Sequence, residues 1–76
     1  MKFTVYCGCI IEERFNATDV KGIIVITGKE ILEDYCYSNE YVTHNCIVKK
    51  TKAYLGVITT DEKLHLFDND CSISLK

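Results

Sequence analysis

The stretch AYLGVITTDEKLHLFDNDCSISLK, residues 53–76, decides the fold prediction. Residues 53–60 are apolar at nearly every position and rich in β-formers, as in a strand buried on both faces. TDEK at 60–63 and DND at 68–70 are turn sequences on either side of LHLF, 64–67. Such closely spaced turns predict an antiparallel meander.

The chain end and the chain start both show the two-residue period of a half-buried strand. At the end, Cys71, Ile73 and Leu75 alternate with polar residues. Residues 2–11 place apolar side chains at the odd positions, which predicts one continuous strand there. GIIVIT, 22–27, is apolar on both faces and is expected to be a central strand.

Residues 29–38 allow two interpretations. Thr27 and Glu30 fit a capping box, and a helical stripe follows, made of Ile31, Leu32, Tyr35 and Cys36. The alternative is a hairpin turn followed by a returning strand. The helix is preferred because it places Glu30, Glu33 and Asp34 together on the solvent-exposed side. Residues 41–51 look extended.

The predicted fold class is therefore α+β and dominated by strands. We expect a curled antiparallel sheet or small barrel of about five or six strands, with one short helix near 29–38. The alternative is an all-β small barrel of the Sm or SH3 kind, an analogy of fold that carries no function.

Composition sets the class of protein and argues against several functions. The chain has 76 residues, 47% hydrophobic and 26% charged, which fits one folded domain spanning 1–76. Its net charge of −2 lacks the basic footprint of a nucleic-acid-binding protein. No stretch approaches the ~20 apolar residues of a membrane span, and the N-terminus does not resemble a signal peptide. We therefore expect a cytoplasmic protein without membrane contact.

Five cysteines are present, and an odd number without an export signal predicts free thiols and no cofactor. The alternative is a zinc-stapled domain with ligands Cys7, Cys9, His44 and Cys46. Spacing argues against that set, since residues i and i+2 on a strand lie about 6.5–7 Å apart. Small buried hydrophobes are the expected role of these cysteines.

YVTHNC, 41–46, resembles the C-terminal splice junction of an intein. That resemblance implies that Asn45 cyclises, His44 assists and Cys46 accepts the acyl group. The resemblance covers six residues, the 45 residues ending at Asn45 are fewer than a complete intein needs, and no second sequence block supports it. We expect no splicing. No nucleophile elbow, phosphate loop or pair of catalytic carboxylates occurs, so the protein is not expected to be an enzyme.

Tyrosines and lysines supply the predicted recognition surface, since tyrosine is enriched at binding hot spots and lysine at interface rims. The candidate partner-binding residues are Tyr35, Tyr37, Tyr41, Lys49, Lys50, Lys52 and Tyr54. The sequence thus predicts a small non-enzymatic protein that docks on a larger protein as inhibitor or adaptor, and that forms a homodimer through an edge strand. Its composition favours a phage or other mobile element as the source. The alternative is a nucleic-acid-binding barrel that uses the lysine strip.

Overall fold

A computed structural model of the chain describes residues 1–35 and 40–76, with Tyr35 described in its backbone alone. Strands dominate it, and the predicted fold class, a strand-rich α+β domain with one short helix, is confirmed. The strands are β1 Lys2–Cys7, β2 Ile10–Asn16, β3 Val20–Thr27, β4 Glu40–Thr43, β5 Ala53–Thr59, β6 Lys63–Asp68 and β7 Ser72–Leu75. Helix α1, Gly28–Glu30, continues as a π-helical turn, Ile31–Tyr35, and a 3₁₀ turn, Ala17–Asp19, links β2 to β3.

The strands form two sheets that do not close into a barrel. The small sheet has the order β2-β1-β7 and is antiparallel throughout. The large sheet has the order β3-β5-β6-β4, in which β4 runs parallel to β6 and the other pairs are antiparallel. The Sm-like or SH3-like barrel is therefore not the architecture of this chain.

The large sheet is the middle layer because β5 and β6 bury side chains on both faces. One face packs on the small sheet through the inter-sheet core, Val5, Phe15, Val57 and Phe67. The other face packs on the helical turn and on the segment after β4 through the helix-side core, Ile26, Ile31, Tyr54, Leu64 and Leu66. Truncating one of these aliphatic or aromatic side chains to alanine costs about 2–5 kcal/mol.

Three sequence-based expectations for the strands are wrong. Residues 2–11 are a hairpin, because Gly8 adopts a left-handed φ of 65° and reverses the chain between β1 and β2. Residues 22–27 belong to an edge strand rather than a central one. The predicted meander stops after β6, because β7 pairs with β1, where Val5 lies opposite Ile73.

The helix prediction is confirmed for its start. Thr27 Oγ1 accepts a hydrogen bond from the Glu30 N–H at 3.2 Å and donates one to Glu30 Oε1 at 3.0 Å. The cap satisfies one of the free amides at the helix start. Helical structure covers 28–35, and the rest of the predicted helix, 36–38, lies outside the described residues.

Candidate functional site

β3 forms one edge of the large sheet, and its apolar side chains are the most exposed of that sheet. Val25 is 70% exposed and Ile23 is 38% exposed, both on the face turned towards the small sheet, whereas Ile26 on the opposite face is buried. β3 ends the sheet order, so within residues 1–35 and 40–76 its outer side has no strand partner. Backbone N–H and C=O groups on such a side can pair with another strand.

β3 also lacks the features that usually prevent such pairing. Its pairing with β5 is irregular between Val20 and Gly22, but from Ile23 to Thr27 it is regular, uncharged and free of proline. The other described edges are protected. β2 carries Glu12, Glu13 and Arg14, and its register with β1 shifts between Val5 and Tyr6, whereas β4 and β7 have four residues each.

The predicted tyrosine and lysine surface is only partly brought together. Lys49, Lys50 and Lys52 are exposed, and Lys49 and Lys52 line an open groove of about 630 Å³ together with Asp68. Tyr41 is half-buried and packs against the helix-side core. For Tyr35 nothing is described beyond the backbone, and Tyr37 lies outside the described residues.

Tyr54 requires a correction, because its exposed fraction is 0%. Its hydroxyl accepts a hydrogen bond from the Lys49 N–H at 2.8 Å and donates one to the Ile47 carbonyl at 2.6 Å. The ring therefore anchors the segment between β4 and β5 and is not available to stack on a base. The nucleic-acid interpretation loses its aromatic platform.

His44 and His65 form a pair beside the inter-sheet core. His44 Nε2 and His65 Nδ1 are 2.9 Å apart, and the His44 ring stacks on Phe67 with a centroid distance of 4.5 Å. Phe15 meets the His65 ring edge-on at 4.9 Å. In this hydrogen bond one ring nitrogen donates its N–H and the other accepts it. The contact therefore tolerates protonation of one histidine but not of both, because two imidazolium rings would both be donors.

Burial lowers the pKa of both histidines. For His44 the carboxylates of Glu13 and Glu12 act against burial, and for His65 the neighbouring His44 lowers the pKa further. The pair is therefore neutral at physiological pH. A cationic imidazole would be disfavoured at this site.

The intein-like triplet is engaged in structural contacts. Asn45 adopts a left-handed φ of 53°, and its Nδ2 donates to Glu12 Oε2 at 2.5 Å. Cys46 Sγ donates to the Leu66 carbonyl at 3.5 Å, and burial raises the pKa of that thiol. A raised pKa lowers the thiolate fraction on which nucleophilic attack depends. The triplet thus joins the segment after β4 to β2 and β6.

A cluster of possible metal ligands lies at the junction of the two sheets. Cys7, Asp70 and Cys71 each offer one ligand atom, and these atoms all lie within 4.8 Å of one another. It is the one such group within the described part of the chain, and of the set Cys7, Cys9, His44 and Cys46 it contains Cys7 alone. Burial and the neighbouring Cys7 thiol raise the pKa of Cys71 to about 12.

Two features escaped the sequence interpretation, and the sequence holds a signal only for the first. GIIVIT is a run without charge, which suits an open edge as well as a central strand. For the second feature, the sequence predicts a turn at Asp70 and an alternating strand from Cys71, and only the pairing of β7 with β1 brings these residues to Cys7. The four described cysteines, Cys7, Cys9, Cys46 and Cys71, are free thiols.

Comparison of the chain with protein-family models, with curated proteins and with solved structures finds no match. Within the described residues, no helix is long and apolar enough to cross a membrane.

Proposed function

We propose that this protein docks on a larger protein by adding a strand of that partner to the outer edge of β3, and that it acts as an inhibitor or adaptor. The observation that supports the proposal is the run Ile23–Thr27, an open edge without charge, proline or irregular pairing. The other three described edges each have a feature that discourages pairing, so the open edge is confined to one strand.

Strand addition draws on two interactions at this edge. The partner's backbone pairs with the outer N–H and C=O groups of β3, which gives affinity with little sequence preference. Ile23 and Val25 offer apolar area on one face. Burying a fully exposed side chain of this kind is worth about 1.5–3 kcal/mol, so covering the part of each that is still exposed contributes less than that. A partner segment that is extended, apolar and free of charge satisfies both interactions. This requirement defines the chemistry of the proposed partner.

The tyrosines and lysines of the sequence interpretation take secondary roles in this proposal. Tyr35 and Tyr37 stay predicted contacts. The exposed lysines, Lys49, Lys50 and Lys52, lie on the segment between β4 and β5 rather than on β3. We expect their contribution to be mainly to the association rate, since rim charges act mostly through electrostatic steering.

The test compares three forms of the protein as bait in an extract of the source organism. Val25→Lys places a lysine on the open edge, which is how natural sheets block pairing. Ile47→Lys is the matched control, because Ile47 is 76% exposed and lies outside β3. We expect one protein to be captured by the wild type and by Ile47→Lys but not by Val25→Lys.

Hydrogen exchange on the complex with the captured protein then locates the contact. The amides of β3 that do not pair with β5 are expected to become protected when the partner binds. Equal capture by Val25→Lys, or protection confined to other strands, would refute docking at β3. Capture of nucleic acid that weakens steeply with salt would favour the lysine-strip alternative instead.

A further inference from the structure

The junction between the two sheets gathers two thiols and a carboxylate from distant parts of the sequence. Cys7 ends β1 of the small sheet. Asp70 and Cys71 lie in the connection that leaves β6 of the large sheet and enters β7 of the small sheet. The pairing of β7 with β1 places Tyr6 opposite Ser72, so the neighbours Cys7 and Cys71 come together at this end of the ladder.

From this geometry we propose that Cys7, Cys71 and Asp70 bind a zinc ion. Zinc takes thiolate sulfur at about 2.3 Å and carboxylate oxygen at about 2.0–2.2 Å in a tetrahedral arrangement. Two such thiolates are about 3.8 Å apart, as follows from the tetrahedral angle and the bond length. The three ligand atoms already lie within 4.8 Å of one another, so small side-chain rotations complete the set.

The carboxylate distinguishes a metal site from a disulfide. A disulfide between Cys7 and Cys71 would need the two sulfurs alone, and an adjacent carboxylate would contribute nothing to it. Zinc uses all three groups, and binding releases the thiol protons to solvent as the sulfurs become ligands. The third ligand thus favours the metal over the disulfide.

The fourth position falls to solvent or to Cys9. The distance argument against ligands two residues apart applies to an extended strand. Cys9 lies instead in the β1–β2 turn, after Gly8 with its φ of 65°, and its side chain is exposed. Cys9 is two residues from Cys7, and its exposed side chain can turn towards the metal to give the fourth ligand. If Cys9 does not bind, a water molecule is the fourth ligand.

A metal at this point would hold the two sheets together. The chain crosses from the large sheet to the small sheet between Asp68 and Ser72, and β7 pairs with β1 through only four residue pairs. Small domains bury little apolar surface and often depend on a metal or disulfide for stability. Zinc bound to Cys7 and Cys71 would fix the crossing and the short β1–β7 ladder.

Cobalt(II) titration of the reduced protein, followed by displacement with zinc, tests the site. The wild type is expected to bind one cobalt per chain, with a thiolate-to-cobalt charge-transfer band and the visible bands of tetrahedral coordination. Zinc should abolish these bands and raise the melting temperature. Cys7→Ser and Cys71→Ser should each bind cobalt more weakly and with lower charge-transfer intensity, because one thiolate ligand is lost, whereas Cys46→Ser, which removes a half-buried thiol elsewhere, should match the wild type.

Asp70→Asn tests the site even if a cysteine variant does not fold, because Asp70 is exposed and its substitution should leave the fold intact. Loss of groups that only support a ligand weakens metal binding about 10–100-fold, so loss of this carboxylate should weaken it at least about tenfold. Asp19→Asn is its control and should bind normally, because Asp19 is exposed and lies in the 3₁₀ turn between β2 and β3. Weaker binding by Cys9→Ser would assign the fourth position to Cys9, and unchanged binding would assign it to solvent.

Two results would overturn the proposal. One is a reduced wild-type protein that gives no thiolate-to-cobalt band. The other is a charge-transfer band of undiminished intensity and affinity in a folded Cys71→Ser variant, with the fold checked by circular dichroism. Either result would leave docking at β3 untouched, because that proposal rests on residues 23–27 and is measured by partner capture.

Discussion

The hydroxyl of Tyr54 accepts a hydrogen bond from the backbone N–H of Lys49 at 2.8 Å, inside the helix-side core. The same hydroxyl donates to the Ile47 carbonyl at 2.6 Å, so one side chain satisfies two backbone groups of the segment between β4 and β5. These bonds hold that segment against the sheet, although it contains no strand of its own.

Tyr54→Phe is therefore expected to destabilise the protein by about 1–3 kcal/mol, since both backbone groups lose their partner. Urea denaturation measures the change. Tyr6→Phe is the control, because it removes a hydroxyl from a half-buried position on β1 and is expected to cost much less. Equal losses in the two variants would mean that the Tyr54 hydroxyl does not anchor the segment.

Gly28→Ala is expected to destabilise the fold through overlap with the same segment. A Cβ atom at Gly28 would overlap the Lys49 backbone carbonyl, and the Gly28 N–H donates to the Lys52 carbonyl at 2.7 Å. Overpacking of this kind costs about 1–3 kcal/mol. Gly22→Ala is the matched control, because nothing lies within 4 Å of a Cβ there. Thermal unfolding distinguishes the two variants. Equal melting temperatures would contradict the close contact between Gly28 and the Lys49 backbone.

The free energy of unfolding is expected to decrease as the pH decreases, because His44 and His65 become protonated. The ordinary pKa of each is 6.5, and the folded state lowers both. The unfolded chain therefore binds protons more readily between the lowered values and 6.5. The stabilisation is fully present above 6.5 and is lost as the pH falls from there through the lowered values.

Urea denaturation between neutral and mildly acidic pH measures this dependence. His65→Gln removes one partner and with it the mutual repulsion of two imidazolium ions, so the slope of stability against pH should decrease below 6.5. A slope that the substitution leaves unchanged would assign the acid sensitivity to groups other than the histidine pair.

Without its partner, the protein is expected to form a symmetric dimer in which β3 pairs with β3 of a second copy. The same open edge that would receive a partner strand is available for this pairing. Light scattering over a range of concentrations measures it, and Val25→Lys should be monomeric where Ile47→Lys still dimerises. A strictly monomeric wild type at high concentration would exclude the dimer, and a dimeric Val25→Lys would place it elsewhere.

Thiol counting is expected to find five free thiols in the denatured, metal-free protein. In the native metal-free protein, Cys9 is exposed and should react rapidly with a thiol reagent, whereas Cys71 should react slowly. Its pKa of about 12, against an ordinary 9.0, leaves very little thiolate near neutral pH. Fewer than five thiols after denaturation would indicate a disulfide, and rapid labelling of Cys71 would contradict its raised pKa.

The amino-acid sequence determined the local features of this protein. The apolar run 53–60 marks a strand buried on both faces. Alternation over residues 71–76 marks a strand, but its predicted faces hold only as far as Ile73, because Ser74 is half-buried and Leu75 is exposed. Thr27 and Glu30 mark the helix start. These features depend on neighbouring residues, since the two-residue strand period and the cap geometry are properties of short segments.

Only the tertiary structure decided which strands pair and which side chains meet. β7 follows two turns and alternates as a meander strand would, yet it pairs with β1, since there Ile73 packs against the inter-sheet core. Cys7 and Cys71 therefore meet although most of the chain separates them. Tyr54 is buried because it lies on the face of β5 that packs on the helical turn. Its sequence context alone is equally compatible with a surface position. Period and turn chemistry specify the face of a strand but not its neighbour, because pairing depends on contacts between distant segments that a local pattern does not contain.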